Sequence, residues 1–455
     1  MKNFDLYKKN HIFFVGIGGI SMSGLAVLLV KYGIKVSGSD RCYSELTRKL
    51  EKRGIKVYYN HSADNIASDV DLVVYTAAIP VGNPEIAHCK ENNIDHMERA
   101  EFLNLIGGLF KNVIAIAGTH GKTTTTALIG EILVNAGLNP TIHIGGEVNS
   151  GYNNIRIGSN DYFITEACEF KKGLEYIDSK IGVITNVEKD HMDCYCDIAD
   201  IFTSFNKFKD KCTDKLFVIY NKNLLNNINH NNLIICGNNE NCHYYTKKIK
   251  GNKFGQYKFL AYHNKELIGK FKLNMVGKYN VNNALIAIAI AHTLGIDYKI
   301  IYNSLSKFSG IKRRNEFLGR YKNVKFFADY AHHPTEISNS IAGYKNAYKK
   351  VMVIFQPHTY SRTIALKDDF VNCLNKSDRL IIFKTYAARE NVKIGGTETD
   401  LFNYINYNPL KKSLILTEEA LVKEIDLYCN KYDAVLILGA GDLYDKIKSL
   451  LYLKK

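Results

Sequence analysis

No C-x-x-C pair occurs among the ten cysteines of this 455-residue chain, which argues against a zinc knuckle and a disulfide framework and leaves reduced thiols as the expectation. No apolar run reaches the roughly 18 residues that a membrane-crossing helix needs. The opening stretch MKNFDLYKKNHIFFVGIGG places basic residues before an apolar segment, but that segment is short and breaks into glycines without a small-residue cleavage site, so no secretory leader is expected. No repeat of fixed period is visible, and no lysine/arginine block is long enough for a nucleic-acid arm. These absences point to a cytoplasmic protein with neither a membrane span nor a nucleic-acid partner.

What is present fits a globular chain: 46% hydrophobic and 23% charged residues. The length suggests about three domains. The net charge of +15 comes mostly from lysines spread along the chain; it suits an anionic small substrate, and a compositional bias of the source genome explains it equally well. Short β-branched runs that alternate with glycine turns and helical patterns predict an α/β fold with parallel sheets. They recur at HIFFVGIGGISMSGLAVLLVKYG, at IAIAGTHGKTTTTALIG, and at KVMVIFQPHTYSRT with DAVLILGAGDLYDKI. Boundaries near Leu105 and Gly310 divide the chain into 1–105, 106–310 and 311–455. The asparagine-rich stretch Asn221–Tyr245 contains LIIC, which reads as a strand among loose loops.

Gly16, Gly18 and Gly19 follow the first strand, Ser21 takes the third glycine position of a dinucleotide fingerprint, and Asp40 stands about twenty residues on. Such a turn opens a helix whose amides favour an anion. A nicotinamide dinucleotide, the diphosphate of another nucleotide and a purely structural tight turn all remain open on these residues. Further on, YTAAIPVGNPE ends a strand in small and polar residues, or is simply a loop.

GTHGKTT, from Gly118 to Thr124, closes one strand and opens a helix, as a phosphate loop must, although the leading glycine of the usual template is Ile116. Lys122 would neutralise terminal phosphate charge, and the Thr123 hydroxyl would complete a Mg²⁺ shell. Strand-end acids are expected downstream: DYFITEACEF supplies Glu166 and Glu169, and IGVITNVEKDHMD supplies Asn186, Glu188, Asp190, His191 and Asp193. Each alone is ordinary; together they favour a two-metal or metal-bridged phosphate site.

These segments, with GKYNVNNALIA, SGIKRRNE, DYAHHPTEI and FQPHTYSRT, follow the order seen in the Mur ligases, and the chain resembles that family from Gly16 to Asp442. The resemblance implies three domains: a Rossmann-like N-terminal domain for a UDP-sugar, a P-loop central domain for ATP, and a Rossmann-like C-terminal domain that closes over both. It implies an ATP-dependent ligase of peptidoglycan synthesis, a monomer or homodimer, that joins L-alanine to UDP-N-acetylmuramate through an acyl phosphate. Mg²⁺, or Mn²⁺ in its place, would assist. By motif, Gly16, Gly18, Gly19, Ser21, Asp40, Thr76 and Ala77 would hold the UDP-sugar. Gly118, Thr119, His120, Gly121, Lys122, Thr123, Thr124, Asn280, Asn283, Arg314 and Asp329 would hold ATP. Thr123, Glu166 and His191 would bind metal, and Lys122, Glu166, His191 and Arg314 would carry catalysis. Tyr330, His332, His358 and Arg362 would frame the alanine.

The chain departs from the family at Tyr279 (usually histidine), Ala328 (usually aspartate), Thr359 (arginine in several members) and Asn206, where sister ligases carry a carbamylated lysine. Three readings compete: the paralogue that attaches recycled murein tripeptide to UDP-N-acetylmuramate, a P-loop regulator without ligase activity, and an NAD-dependent dehydrogenase.

Overall fold

β-Branched and aromatic runs bounded by glycine turns become the buried strands of a computed structural model, which describes residues 6–149, 151, 153–388, 390–405 and 411–453. The chain forms two compact units, Met1–Val187 with Ala199–Ile235, and Glu188–Ile198 with Cys236–Lys455. The expected boundary at Leu105 falls within the helix Arg99–Gly107.

In the first unit, β1 (His11–Val15), β2 (Lys35–Ser39), β3 (Lys56–Tyr58), β4 (Leu72–Tyr75) and β5 (His96–Glu98) form a five-stranded sheet in the order β3-β2-β1-β4-β5. All its pairs are parallel, so each connection crosses a face and carries its helix there. The same unit holds β6 (Asn112–Ala117), β7 (Thr141–His143), β8 (Ile155–Arg156), β9 (Tyr162–Glu166), β10 (Ser179–Ile184) and β11 (Cys212–Ile219), in the order β11-β10-β6-β9-β7-β8. Only the β7–β8 pair there is antiparallel. The helix Lys122–Asn135 is buried along most of its length, as a crossover helix packed on a parallel sheet must be.

In the second unit, Cys236 and Gly237 of β12 (Leu233–Gly237) pair parallel with β13 (Tyr244–Gly251). The strands β13, β14 (Gln256–His263) and β15 (Glu266–Val276) form an antiparallel meander. The sequence reading of a mostly parallel central domain holds, and this meander is its antiparallel part. Turns with positive φ at Gly255, Asn264 and Lys265 reverse the chain within a few residues, too few for a parallel crossover. The last sheet consists of β16 (Glu316–Tyr321), β17 (Val324–Asp329), β18 (Val351–Phe355), β19 (Arg379–Phe383), β20 (Lys412–Ile415) and β21 (Ala434–Leu438). Its order is β16-β17-β21-β18-β19-β20, parallel except at β16–β17. Its two faces are packed by separate apolar clusters around Val353 and Leu436 on one side and Ile354 and Ile437 on the other, the alternation that a doubly covered sheet requires.

The asparagine-rich stretch is more ordered than its composition suggested. Asn221 accepts from the backbone N–H groups of Asn223 and Leu224 and so starts the helix Lys222–Asn227. All ten cysteines are free thiols. Among the described residues, no helix is long and apolar enough to cross a membrane.

Candidate functional site

The phosphate loop is built by register. β6 runs beside β9 with Ile116 opposite Glu166, and beside β10 with Ala117 opposite Ile184. The turn after β6 is thereby flanked by the carboxyl ends of both neighbours, where open α/β sheets bind ligands. Gly118 has φ +136°, and a Cβ there would lie 1.9 Å from Thr185 Oγ1. Only glycine fits that place. Gly121, at φ +84°, is the N-cap of the helix Lys122–Asn135. Behind the loop, Asn186 accepts from the N–H groups of Thr119 (O, 3.1 Å) and His120 (Oδ1, 2.9 Å), while Thr185 Oγ1 donates to the His120 carbonyl at 2.6 Å. Thr124, one turn residue later, is buried.

Lys122 Nζ donates to the carbonyls of Gly118 and Thr119 and pairs with Glu169 at 2.7 Å. Burial disfavours its charge, but the Glu169 carboxylate outweighs that cost and holds the ammonium above the ordinary lysine range. Thr123 Oγ1 donates to Glu166 Oε2 at 3.1 Å, and Glu166 Oε1 accepts the Gly145 N–H at 2.6 Å. Lysine, hydroxyl and carboxylate therefore meet at one helix N-terminus. His191 lies in the second unit, at φ +53°, with its N–H on Asp190 Oδ1; the expected metal partners Glu166 and His191 thus belong to different units.

In the glycine turn, Gly18 N–H donates to Asp40 Oδ2 at 2.9 Å and Cys42 N–H to Asp40 Oδ1 at 3.1 Å, so Asp40 fastens the turn. Gly16, at φ +83°, brings the backbone against Thr76, whose Cγ2 would lie 2.6 Å from a Cβ there. Gly19 is the N-cap of the helix Ile20–Lys31, and the Ala77 carbonyl accepts from Lys171 Nζ. The seven residues assigned to the UDP-sugar lie around one end of the first sheet, after β1, β2 and β4.

The second unit gathers the C-terminal candidates. Asn280 opens the helix Asn280–Thr293 and donates to the Val276 carbonyl, and Asn283 donates to Asn280 Oδ1 at 3.0 Å; both are buried. Tyr279, the departure beside them, accepts from Asn315 Nδ2 at 2.6 Å. The Arg313 and Arg314 guanidiniums lie 5.1 and 4.8 Å from the Tyr330 ring centre, and Arg314 also reaches Glu336 at 3.5 Å.

The rings of Tyr330 and His332 are 5.4 Å apart, and those of His332 and His358 5.7 Å. Arg362 Nη1 donates to His358 Nδ1 at 3.2 Å. The four residues assigned to the amino acid are thus contiguous. His332 Nδ1 faces the Tyr330 carbonyl at 2.9 Å, which can only accept, so the proton sits on Nδ1 and Nε2 presents a lone pair. Burial, with Arg362 and His358 beside it, keeps that ring neutral. Asp190, read from the sequence as a strand-end acid of the phosphate site, accepts Arg362 Nε on Oδ1 at 3.0 Å, and two partners escaped that reading: Glu336, which accepts the His332 N–H, and Tyr386, stacked on His358. The His332–Glu336 spacing of four at a helix start was the one local signal among them.

Asp329, at the end of β17, is pushed up to about 6 by burial, against the pull of Arg314. Between about pH 4 and 6 the folded chain keeps a proton that the unfolded chain has released, so stability falls as pH rises. The penalty builds to on the order of 3 kcal/mol. Asp329→Asn should therefore melt above the parent protein at pH 7 to 8, with the advantage shrinking toward pH 4. Melting curves that differ by the same amount at every pH would contradict this.

A lysine-bearing glycine loop between a parallel strand and its crossover helix, faced by a strand-end glutamate, defines a P-loop α/β enzyme of the nucleotide-using class. The chain belongs to the Mur ligase family. The "Mur ligase family, catalytic domain" matches residues 11–111, the "Mur ligase middle domain" residues 116–291, and the "Mur ligase, glutamate ligase domain" residues 313–441. It is 41% identical to the UDP-N-acetylmuramate–L-alanine ligase of Clostridium acetobutylicum, over 98% of this chain and 97% of that one. The crystal structure of the UDP-N-acetylmuramate-alanine ligase of Thermotoga maritima superposes with a TM-score of 0.82 at 27% identity, covering 97% of this chain and 98% of that one. A murein peptide ligase of Psychrobacter arcticus shares the fold, with a TM-score of 0.73 at 24% identity over 97% and 98% of the two chains.

Proposed function

We propose that this chain joins L-alanine to UDP-N-acetylmuramate at the expense of ATP, in the cytoplasm, as a step of peptidoglycan synthesis, as a monomer or homodimer. The observation that carries the reading is the meeting of Lys122, Thr123 and Glu166 at one helix N-terminus, in a chain so similar over its length to a ligase of that name. The muramate carboxylate oxygen attacks the γ-phosphorus of ATP, the bond to the β-phosphate oxygen breaks, and ADP leaves. The alanine amine then attacks the acyl carbon; phosphate leaves with its bridging oxygen, and the amine gives up its proton.

Lys122 leaves Glu169 for the phosphate oxygens, where its charge offsets what builds up in transfer. The backbone N–H groups of the Gly118–Thr124 loop cradle the phosphates. The Thr123 hydroxyl and Glu166 carboxylate are hard oxygen donors of the kind Mg²⁺ prefers; that ion supplies charge neutralisation on the phosphates. His191 remains a candidate metal ligand by its motif. Asn280, Asn283, Arg314 and Asp329 are the candidate nucleotide contacts. His332 Nε2 orients the ammonium of alanine, Tyr330 and His358 line its place, and the Arg362 fork takes its carboxylate. We place the domain boundaries near Leu105 and Gly310.

The acyl phosphate is tested by labelling the muramate carboxylate with ¹⁸O. One labelled oxygen should appear in the released phosphate, and unlabelled phosphate would exclude the intermediate.

A further inference from the structure

His143, at the end of β7, is buried in the body of the first unit and is no part of the phosphate loop. Its ring joins the phosphate-loop sheet to the glycine turn of the first sheet. Nδ1 lies 3.1 Å from Thr165 Oγ1, and Nε2 lies 3.1 Å from both the carbonyl and the hydroxyl oxygen of Ser21. Close by, Asn154 Nδ2 donates to the Ile20 carbonyl and to Ser23 Oγ. A Cβ on Gly24 would come within 3.2 Å of both His143 and Asn154, so the helix Ile20–Lys31 needs a bare backbone where these side chains reach it.

Hydrogen-bond bookkeeping then fixes the protons. The Ser21 carbonyl only accepts, so Nε2 carries the hydrogen, and Nδ1 accepts from Thr165. Burial pushes the imidazole down to about 4, which keeps this single-proton form at neutral pH. The single Nε2–H is shared between the Ser21 carbonyl and hydroxyl oxygens, each 3.1 Å away, and Arg99 Nη1 donates to the hydroxyl at 3.5 Å. Its lone pairs are thereby engaged, and its own hydrogen is left to donate outward at a helix N-terminus that already favours an anion.

We propose that His143 is a positioning residue for the UDP-sugar: it locks Ser21 as a hydroxyl donor toward the anionic ligand and fixes the glycine turn against the phosphate-loop sheet. This rests on the reading that the turn takes the UDP-sugar. His143→Leu keeps the bulk and removes both polar atoms. It should raise KM for UDP-N-acetylmuramate about tenfold, with kcat and KM for ATP within about twofold of the parent. His143→Gln, whose amide N–H reaches the place of Nε2–H, should recover most of that loss. Ser21→Ala, which removes a single oxygen, should raise the same KM to a similar extent, and adding His143→Leu to it should change little further.

An unchanged KM for the UDP-sugar in Ser21→Ala and His143→Gln alike, or an equal loss in every kinetic constant without rescue by glutamine, would overturn the inference. So would fully additive effects of the two substitutions. If His143→Leu does not fold, the Ser21→Ala and His143→Gln proteins decide the matter. A parent protein without alanine-dependent turnover would instead remove the function itself, so the two failures are separable.

Discussion

Lys122→Ala is expected to lower kcat by at least about a thousandfold, because a phosphate-loop lysine acts on charge that exists only during transfer. Affinity for UDP-N-acetylmuramate, measured by calorimetry, should stay within about threefold, since the residues assigned to that ligand surround a different sheet. The variant carries a second consequence that the ion pair makes legible. Glu169 is buried and the Lys122 side chain is only 13% exposed, with the two 2.7 Å apart, and deleting one partner of a buried pair costs about 3–5 kcal/mol because the other is left charged and alone. Lys122→Ala should therefore melt well below the parent, whereas Lys122→Ala with Glu169→Gln should recover most of the melting temperature and none of the activity. Recovery of activity in the double variant would mean that the lysine serves only to neutralise Glu169. Loss of UDP-sugar affinity in Lys122→Ala would contradict the division of labour.

Arg362→Lys should raise KM for L-alanine about a hundredfold or more while leaving KM for ATP within a few-fold. Lysine keeps the charge and loses the planar fork, and truncating a charged hydrogen-bonding partner costs 2–5 kcal/mol or more in binding. That fork is engaged within the fold: Nε and Nη2 both lie 3.0 Å from Asp190 Oδ1. Although burial opposes it, Arg362 holds the Asp190 carboxyl far below the usual carboxylate range, with help from the neighbouring histidines. An alanine carboxylate thus competes with a resident one, and Thr359, where several family members have arginine, adds no second guanidinium. An Arg362→Lys protein with an unchanged KM for alanine would move the carboxylate contact elsewhere.

Local chemistry was readable wherever the partners are near in sequence or lie on adjacent strands. Gly118, Gly121, Lys122 and Thr123 announced the loop because strand, turn and helix are consecutive, and Glu166 followed because it ends the strand beside β6. The order of the histidine and arginine segments pointed to Tyr330, His332, His358 and Arg362, which the fold brings together. Hidden were the pairings made by folding alone. His143 and Ser21 are 122 residues apart, and Asp190 and Arg362 172; nothing in LNPTIHIGG tells a core histidine from a clamp. The meander from Tyr244 to Val276 was obscured because its strands alternate apolar and lysine-rich positions with no strong turn dipeptide between β13 and β14. At Asn221 a cap residue looked like low-complexity sequence, since capping depends on one side-chain oxygen and not on composition.

On the proposed function, phosphate-loop chemistry activates a carboxylate for amide formation. It is tested most directly by inorganic phosphate release from purified protein with UDP-N-acetylmuramate, ATP and Mg²⁺, with and without L-alanine. Phosphate release should require alanine and match the amide product mole for mole. Phosphate release indifferent to alanine, or seen only when L-Ala-D-Glu-containing tripeptide replaces it, would rule out an alanine-adding ligase.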